Sequence, residues 1–346
     1  MPSDKNQNEM TLQERINAFV ALGKRIAELP KYELDELAFR AENNNNWFTP
    51  DQVKLALQAL VEMLDEKVLN EWMGKYEIAD QVQSKKVGVM MAGNIPAVGF
   101  HDLMVVLLTG HVAHVKLSSS DQVLMKWLVK ELSELAPELA AKVVFEEMLK
   151  GMEAYIATGS DNSARYFEYY FGKYPSVIRK NRSSVAVLDG TESILDYREL
   201  AKDIFQYYGL GCRNVSKIFL PEEQQLQGFL EAIEGYHFML SHHKYLNNYD
   251  YNKSIYLVNG EPHLDNGFLL CKQSEELVSP IAVLYYEVYK DKGELDQKIE
   301  ARKEKIQCIV SKGGWYPSSF EFGQAQKPSV GDYADHVDTV AFLMEL

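Results

Sequence analysis

Residues 85–116 read KKVGVMMAGNIPAVGFHDLMVVLLTGHVAHVK. The first nine form a short apolar run ending in glycine, the texture of a strand buried on both faces of a parallel sheet. Residues 98–110 follow as a helix closed by Gly110, and residues 111–118 return as a second strand. Parallel neighbours need a crossover of this length, so the stretch predicts a βαβ unit. The pattern continues with a helix over 121–135, strands over 142–147 and 153–160, a helix over 162–171 and a strand over 184–190. Such alternation implies an α/β fold with a doubly wound parallel sheet.

Upstream the texture is helical. Ile16, Phe19, Val20, Leu22, Ile26 and Leu29 recur at helical spacing behind a Thr11–Glu14 capping-box pair, and Pro30 stops the run. Thr49, Pro50 and Asp51 open a second helix, expected to reach about Trp72. Downstream the alternation is less regular: helices over 196–208, 222–234 and 293–302, and strands over 215–221, 281–289 and 306–310. The polar, aromatic stretch 241–270 reads as loop or hairpin.

At 346 residues, a prior of about 150 per domain gives roughly two domains. The 36 Lys and Arg against 50 Asp and Glu leave a net charge of −14, which argues against a nucleic-acid binder. An anionic small ligand is still compatible, because it needs only local N–H groups and cations. Three cysteines do not make a disulfide framework and suit a reducing cytoplasm. The polar start MPSDKNQNEM lacks the apolar core of a secretory signal, and no transmembrane segment or membrane anchor is expected. There is no HExxH, CxxC, P-loop or GxGxxG, so a metal site and the common nucleotide fingerprints are not expected.

Four junctions carry residues with chemistry. After the first strand, Gly93 lets the chain turn and Asn94 offers an amide, either as a plain helix cap or as a donor to a ligand at the strand's carboxyl end. After the second, Lys116 leads into Ser118, Ser119 and Ser120, either a cap cluster or contacts to a ribose or phosphate. After the fourth, Gly159 and Ser160 sit where a cap or an anion site belongs. Cys212 stands behind Gly209 and Gly211 with Arg213 beside it, either an inert thiol or a nucleophile activated by its surroundings. Cys271 and Cys308 lie in apolar stretches and read as core. Arg179, Lys180 and Arg182 form a basic run, as compatible with a phosphate contact as with a solvated loop.

Taken together, in this order, the motifs resemble the aldehyde dehydrogenase superfamily, and within it the acyl-CoA reductase family of the bacterial luminescence fatty-acid reductase subunit. The resemblance covers about residues 80–346. GNIPAV is similar to the family's Asn-bearing PWNFP strand end, which makes Asn94 the oxyanion-hole side chain. HVKLSSS is similar to VVxKPSE, which puts Lys116 and Ser119 at the cofactor ribose or phosphate. ATGS is similar to F-T-G-S, which puts Gly159 and Ser160 near the pyrophosphate. GLGC is similar to GQxC, which makes Cys212 the nucleophile. ELVSPIAVL is similar to E-x-F-G-P-V, which puts Glu276 at the nicotinamide ribose and Val278 where an aromatic usually sits.

The resemblance therefore implies an aldehyde-dehydrogenase-like fold. Its parts would be a helical segment over 1–80, a nicotinamide-cofactor domain over 81–180, a thiol-bearing catalytic domain over 181–325 and a C-terminal segment over 326–346. The implied activity is reduction of an acyl-CoA to an aldehyde with NADPH, or NADH as the alternative. A homo-oligomer and an acyl-activating partner enzyme are further implications. One departure stands out: hydrolytic members carry a general-base glutamate in an ELGG segment, whereas residues 176–184 read SVIRKNRSS with no carboxylate. The competing readings are an acyl-phosphate reductase, a non-redox Cys acyltransferase or thioesterase, and an inactive scaffold.

Overall fold

The computed structural model describes residues 10–79, 82–159 and 161–346. They form two compact units, one of the described residues up to 180 with 329–346 and one of residues 181–328. Each unit is an α/β structure around a mostly or wholly parallel sheet.

In the first unit, α1 (Leu12–Ala27), α2 (Lys31–Asn44), α3 (Pro50–Met63) and α4 (Glu66–Met73) precede the sheet. Thr11 closes the expected capping box with Glu14 at the head of α1. The helix expected from Pro50 to Trp72 is divided, because Asp65 accepts from the Lys67 and Val68 N–H groups and starts α4 afresh. These helices share one apolar core with the sheet: Phe19, Leu57 and Trp72 are buried in the same cluster as Val87, Val105 and Val115. There follow β1 (Lys86–Met90), α5 (Phe100–Leu108), β2 (Val112–Lys116), α6 (Gln122–Leu135), α7 (Pro137–Ala140), β3 (Val143–Phe145), β4 (Ala154–Thr158), α8 (Asp161–Phe171) and β5 (Ser176–Arg179), and the helix Thr339–Met344 returns to this unit from the end of the chain. The sheet order is β3-β2-β1-β4-β5, all parallel. All five carboxyl ends therefore lie on one edge.

The edge strand β5 falls inside SVIRKNRSS, and its last residue corrects a reading of the basic run. Arg179 is only 4 % exposed; Nη1 donates to both Asp102 oxygens at 2.8 and 2.7 Å, and Nη2 donates to Thr339 Oγ1 at 2.8 Å. Its charge is thus spent joining β5, α5 and the helix Thr339–Met344, and is not offered to a phosphate. Lys180 pairs with Glu168 at 2.8 Å, and Arg182 reaches the Ile306 carbonyl.

The second unit contains β6 (Ser183–Val187), α9 (Ile194–Phe205), β7 (Val215–Leu220), α10 (Gln225–Ala232), α11 (His243–Asn259), β8 (Leu264–Asp265), β9 (Leu270–Gln273), β10 (Val283–Val288), α12 (Lys292–Glu300), β11 (Ile306–Ser311) and β12 (Phe320–Glu321). Its sheet order is β12-β11-β6-β7-β10-β9-β8, parallel except for β8. The helix α11 replaces the loop expected over 241–270. Its inward stripe is Tyr245, Tyr249, Asn252 and Tyr256, spaced by four, three and four residues. Those groups are buried through polar ends: Tyr245 donates to the Phe268 carbonyl, Tyr249 to Asp265 and Asn252 to the Ile281 carbonyl. A polar, aromatic stripe carries no apolar period to read.

Arg179→Ala strands Asp102 as an unpaired buried charge and is expected to cost about 3–5 kcal/mol, read as a fall in the denaturant midpoint. The paired replacement Arg179→Met with Asp102→Leu is expected to recover most of that loss. A single variant as stable as the parent would show that the pair does not hold the segment 329–346 in place.

Candidate active site

The first cluster lies at the carboxyl ends of β1, β2 and β4. The chain leaves β1 through Met91, whose N–H donates to the Lys116 carbonyl at 3.1 Å, so the two strand ends stay paired one step beyond the ladder. Gly93 then passes so close to the following turn that a Cβ there would meet Ser118 Oγ at 2.4 Å. No other residue fits without movement. Asn94 is exposed on this loop, Lys116 is half-buried at the strand end, and Ser119 is exposed at the head of a 3-10 turn, Ser119–Asp121. The Ser119 carbonyl accepts from Asn44 Nδ2 of α2 at 3.1 Å.

At the end of β4, Gly159 is equally confined. A Cβ would lie 2.8 Å from Phe167 and 2.9 Å from Ser163 of α8. The glycine brings the first turns of α8 close to the strand end. Ser160 lies outside the described residues.

Asp121 organises this cluster, and the motif reading did not single it out. It is 2 % exposed; one oxygen accepts the Ala97 N–H at 2.7 Å, and the other has no hydrogen-bond partner. Ala97 is held at φ 57, a left-handed conformation uncommon outside glycine. The Asn94 loop is thus pinned at Gly93 and at Ala97 to the same turn that carries Ser119. Burial pushes the Asp121 carboxyl up to about 8, against the lowering effect of the Ala97 N–H. The signal in the sequence is the acid directly after SSS, at the start of the helix expected over 121–135.

The second cluster surrounds Cys212, whose side chain is exposed while Cys271 and Cys308 are buried as expected. The thiol sits on a turn closed by the Asn214 N–H on the Gly211 carbonyl at 3.0 Å. The Cys212 carbonyl accepts from Ser184 Oγ of β6 at 3.1 Å. Arg213 does not lie idle beside the thiol. Its Nε donates to the Ala325 carbonyl and its guanidinium stacks 4.8 Å from the Phe320 ring centroid. Asp203 of α9 fixes the same segment by accepting the Gly323 and Ala325 N–H groups at 2.7 and 3.0 Å, and burial pushes its carboxyl up to about 7.

Glu276 is exposed beyond β9, where its N–H donates to Ser274 Oγ at 3.1 Å, and Val278 is also exposed. The preceding carbonyl, of Ser274, accepts from Lys217 Nζ at 2.8 Å. Lys217 is fully buried in β7 and paired with Glu287 of β10, which also accepts from Lys298 at 2.6 Å. Burial lowers the Lys217 pKa against the raising effect of Glu287. A lysine and a glutamate inside apolar strands were the available signal for this support. Among the described residues no group of three His, Cys, Asp or Glu is placed to hold a metal, and no helix is long and apolar enough to cross a membrane.

The Asp121 shift has a defined sign. The folded chain keeps a proton that the unfolded chain releases near the ordinary aspartate value, so this group removes stability as pH rises from about 4 to about 8. Asp121→Asn has no proton to lose, and its Oδ1 can still accept the Ala97 N–H. Its denaturation midpoint relative to the parent is expected to improve steadily between pH 5 and pH 8.5. Parallel pH profiles would contradict the buried-acid reading.

A family model described as acyl-CoA reductase (LuxC) matches residues 17–236. No curated protein matches the chain. Several solved structures share its fold. An NADP-dependent enzyme of E. coli has a TM-score of 0.65 at 11% identity, covering 94% of this chain and 76% of that one. Glyceraldehyde-3-phosphate dehydrogenase of Methanocaldococcus jannaschii, in complex with NADP, has 0.61 at 12%, covering 95% and 83%. An aldehyde dehydrogenase of Bacillus cereus, in complex with NAD+, has 0.60 at 12%, covering 88% and 72%. The fold is that of aldehyde dehydrogenases, and with a family match spanning well over half its length the chain belongs to the acyl-CoA reductase (LuxC) family.

Proposed function

We propose that this protein reduces an acyl-CoA thioester to an aldehyde with a nicotinamide cofactor, through a covalent acyl-enzyme on Cys212. Family membership and fold support the coarser statement, a nicotinamide-dependent oxidoreductase. The observation that carries the finer one is the placement of Cys212: of three thiols it alone is exposed, on a hydrogen-bonded turn between α9 and β7.

The residues present fit a nicotinamide nucleotide. Gly93 and Gly159 keep the backbone of two adjoining strand ends tight against the following turns, and Lys116 stands at the end of the neighbouring strand. The family resemblance assigns Lys116 and Ser119 to the ribose or a phosphate, Gly159 and Ser160 to the pyrophosphate, and Glu276 to the nicotinamide ribose. When bound, the reduced cofactor supplies the hydride. NADPH is the expected form and NADH the alternative.

The chain's own part follows from ordinary thioester chemistry. Cys212, as thiolate, attacks the acyl carbonyl. The family resemblance assigns the oxyanion that develops to the Asn94 amide and the Cys212 backbone N–H. The CoA thiolate leaves, and the acyl group remains on Cys212. A free acid would form only if water were activated at this stage. The stretch 176–184 supplies no carboxylate for that, and its Arg179 is committed to Asp102. This favours reduction of an activated acyl group over hydrolysis.

The domain assignment is part of the proposal: residues 81–180 hold most of the cofactor, and residues 181–325 carry the acyl group together with Glu276. A homo-oligomer and an acyl-activating partner enzyme are further expectations of the family resemblance, and a cytoplasmic location is the expectation from the three cysteines.

Intact-mass spectrometry after mixing with acyl-CoA, with no cofactor added, tests the covalent step. The parent is expected to gain one acyl group, mapped to Cys212, and Cys212→Ala to gain none. An acyl adduct that builds up on Cys212 and is never reduced when NADPH or NADH is supplied would favour an acyltransferase or thioesterase. Absence of any adduct on the parent would sink the acyl-enzyme.

A further inference from the structure

The chain reaches Cys212 through a strained segment. Tyr207 and Tyr208 sit at φ 52 and 56, and Gly209 follows at φ 77. Two consecutive non-glycine residues in the left-handed region persist only where their surroundings hold them. Part of that hold is aromatic, since the Tyr208 ring lies 4.4 Å from the His242 ring. A further part comes from one side chain beyond the thiol.

Asn214 is 2 % exposed. Its Nδ2 is directed at the last carbonyls before the strained run, those of Asp203 at 3.0 Å, Ile204 at 3.3 Å and Gln206 at 2.8 Å. Its Oδ1 accepts the Gly211 N–H, just after the run, at 2.8 Å. One amide therefore bridges both ends of the segment Tyr207–Leu210. The Asn214 backbone is itself fixed, because its carbonyl accepts the Ser184 N–H of β6 at 3.1 Å. Cys212 lies between Gly211 and Asn214, inside the turn that the Oδ1 contact and the Asn214 N–H close.

We infer that Asn214 is a positioning residue for Cys212: its amide staples the left-handed run closed and thereby sets where the thiol is presented. An amide is required because the role needs a donor on one side and an acceptor on the other. The inference rests on the reading of Cys212 as nucleophile, and it adds a residue that neither touches substrate nor titrates. Displacement of a reacting atom by an ångström is enough to cost large factors in rate.

The test compares the parent with Asn214→Ala, Asn214→Asp and Asn252→Ala. The last also removes a buried amide, one whose Nδ2 donates to the Asn248 and Ile281 carbonyls of the same unit. The first readout is the pH profile of Cys212 alkylation by iodoacetamide, followed by peptide mass spectrometry; the second is kcat and KM for acyl-CoA reduction. Asn214→Ala is expected to change the alkylation rate and to lower kcat by roughly tenfold or more, with KM for the cofactor unchanged. Asn252→Ala is expected to stay within about twofold of the parent. Asn214→Asp keeps the acceptor for Gly211 and covers the case in which the alanine variant does not fold; it is expected to fall between the two. Tyr208→Asn, a residue that takes the left-handed conformation more readily, is expected to restore part of the loss when combined with Asn214→Ala. Parent-like alkylation and kcat in both Asn214 variants, an equal effect from Asn252→Ala, or simple multiplication of the Tyr208 and Asn214 effects would overturn the inference. A parent that reduces no thioester would instead overturn the reductase reading, and the alkylation comparison would still decide the role of Asn214.

Discussion

Parallel strands cannot be joined by tight turns, and the rest of the structure follows from that constraint. Each crossover returns the chain to the same end of its sheet, so the loops leaving β1, β2 and β4 share one edge although they are far apart in sequence. That edge gathers Gly93, Asn94, Lys116, Ser119 and Gly159. The sheet supplies only proximity. Specific geometry comes from close packing of Gly93 on Ser118 and from the Asp121 carboxyl on Ala97.

Buried polar groups recur wherever a loop must keep a particular shape. Asp121 fixes the loop after β1, Asp203 fixes residues 323–325, Lys217 holds the Ser274 carbonyl and Asn214 brackets the turn of Cys212. Three of these groups are ionisable, and burial shifts each toward its neutral form against the pull of its partner. Such groups are costly to bury and would add little to stability over apolar packing. Asp121, Lys217 and Asn214 each fix backbone near a residue with a proposed chemical role, and Asp203 fixes the segment that Arg213 contacts. The net charge of −14 gives the same lesson at longer range. An acidic chain opposes the approach of anions, so the proposed binding of a nucleotide and CoA calls for local features such as Lys116 and the strand-end turns.

The sequence was legible where apolar period and punctuation agreed. The strands β1, β2 and β4 are short apolar runs bounded by glycine, lysine or serine, and α1 carries both a capping box and a clear stripe. It was illegible where burial is achieved by polar ends, as in α11, whose tyrosines and Asn252 are buried through their hydrogen bonds. The strand β5 was missed because four residues ending in arginine look like loop, and the Arg179–Asp102 pair joins positions 77 residues apart. The thiol and the strand-end glycines were visible as motifs. Asp121 and Asn214 were not, because their importance lies in which backbone groups they face.

Nicotinamide oxidation is the most direct measure of the central claim. The parent and Cys212→Ala would be mixed with acyl-CoAs of several chain lengths and with NADPH or NADH, and absorbance followed alongside aldehyde release. The account predicts cofactor consumption matched by aldehyde for at least one chain length in the parent, and none in Cys212→Ala. No consumption with any thioester, or consumption that persists without the Cys212 thiol, would contradict it.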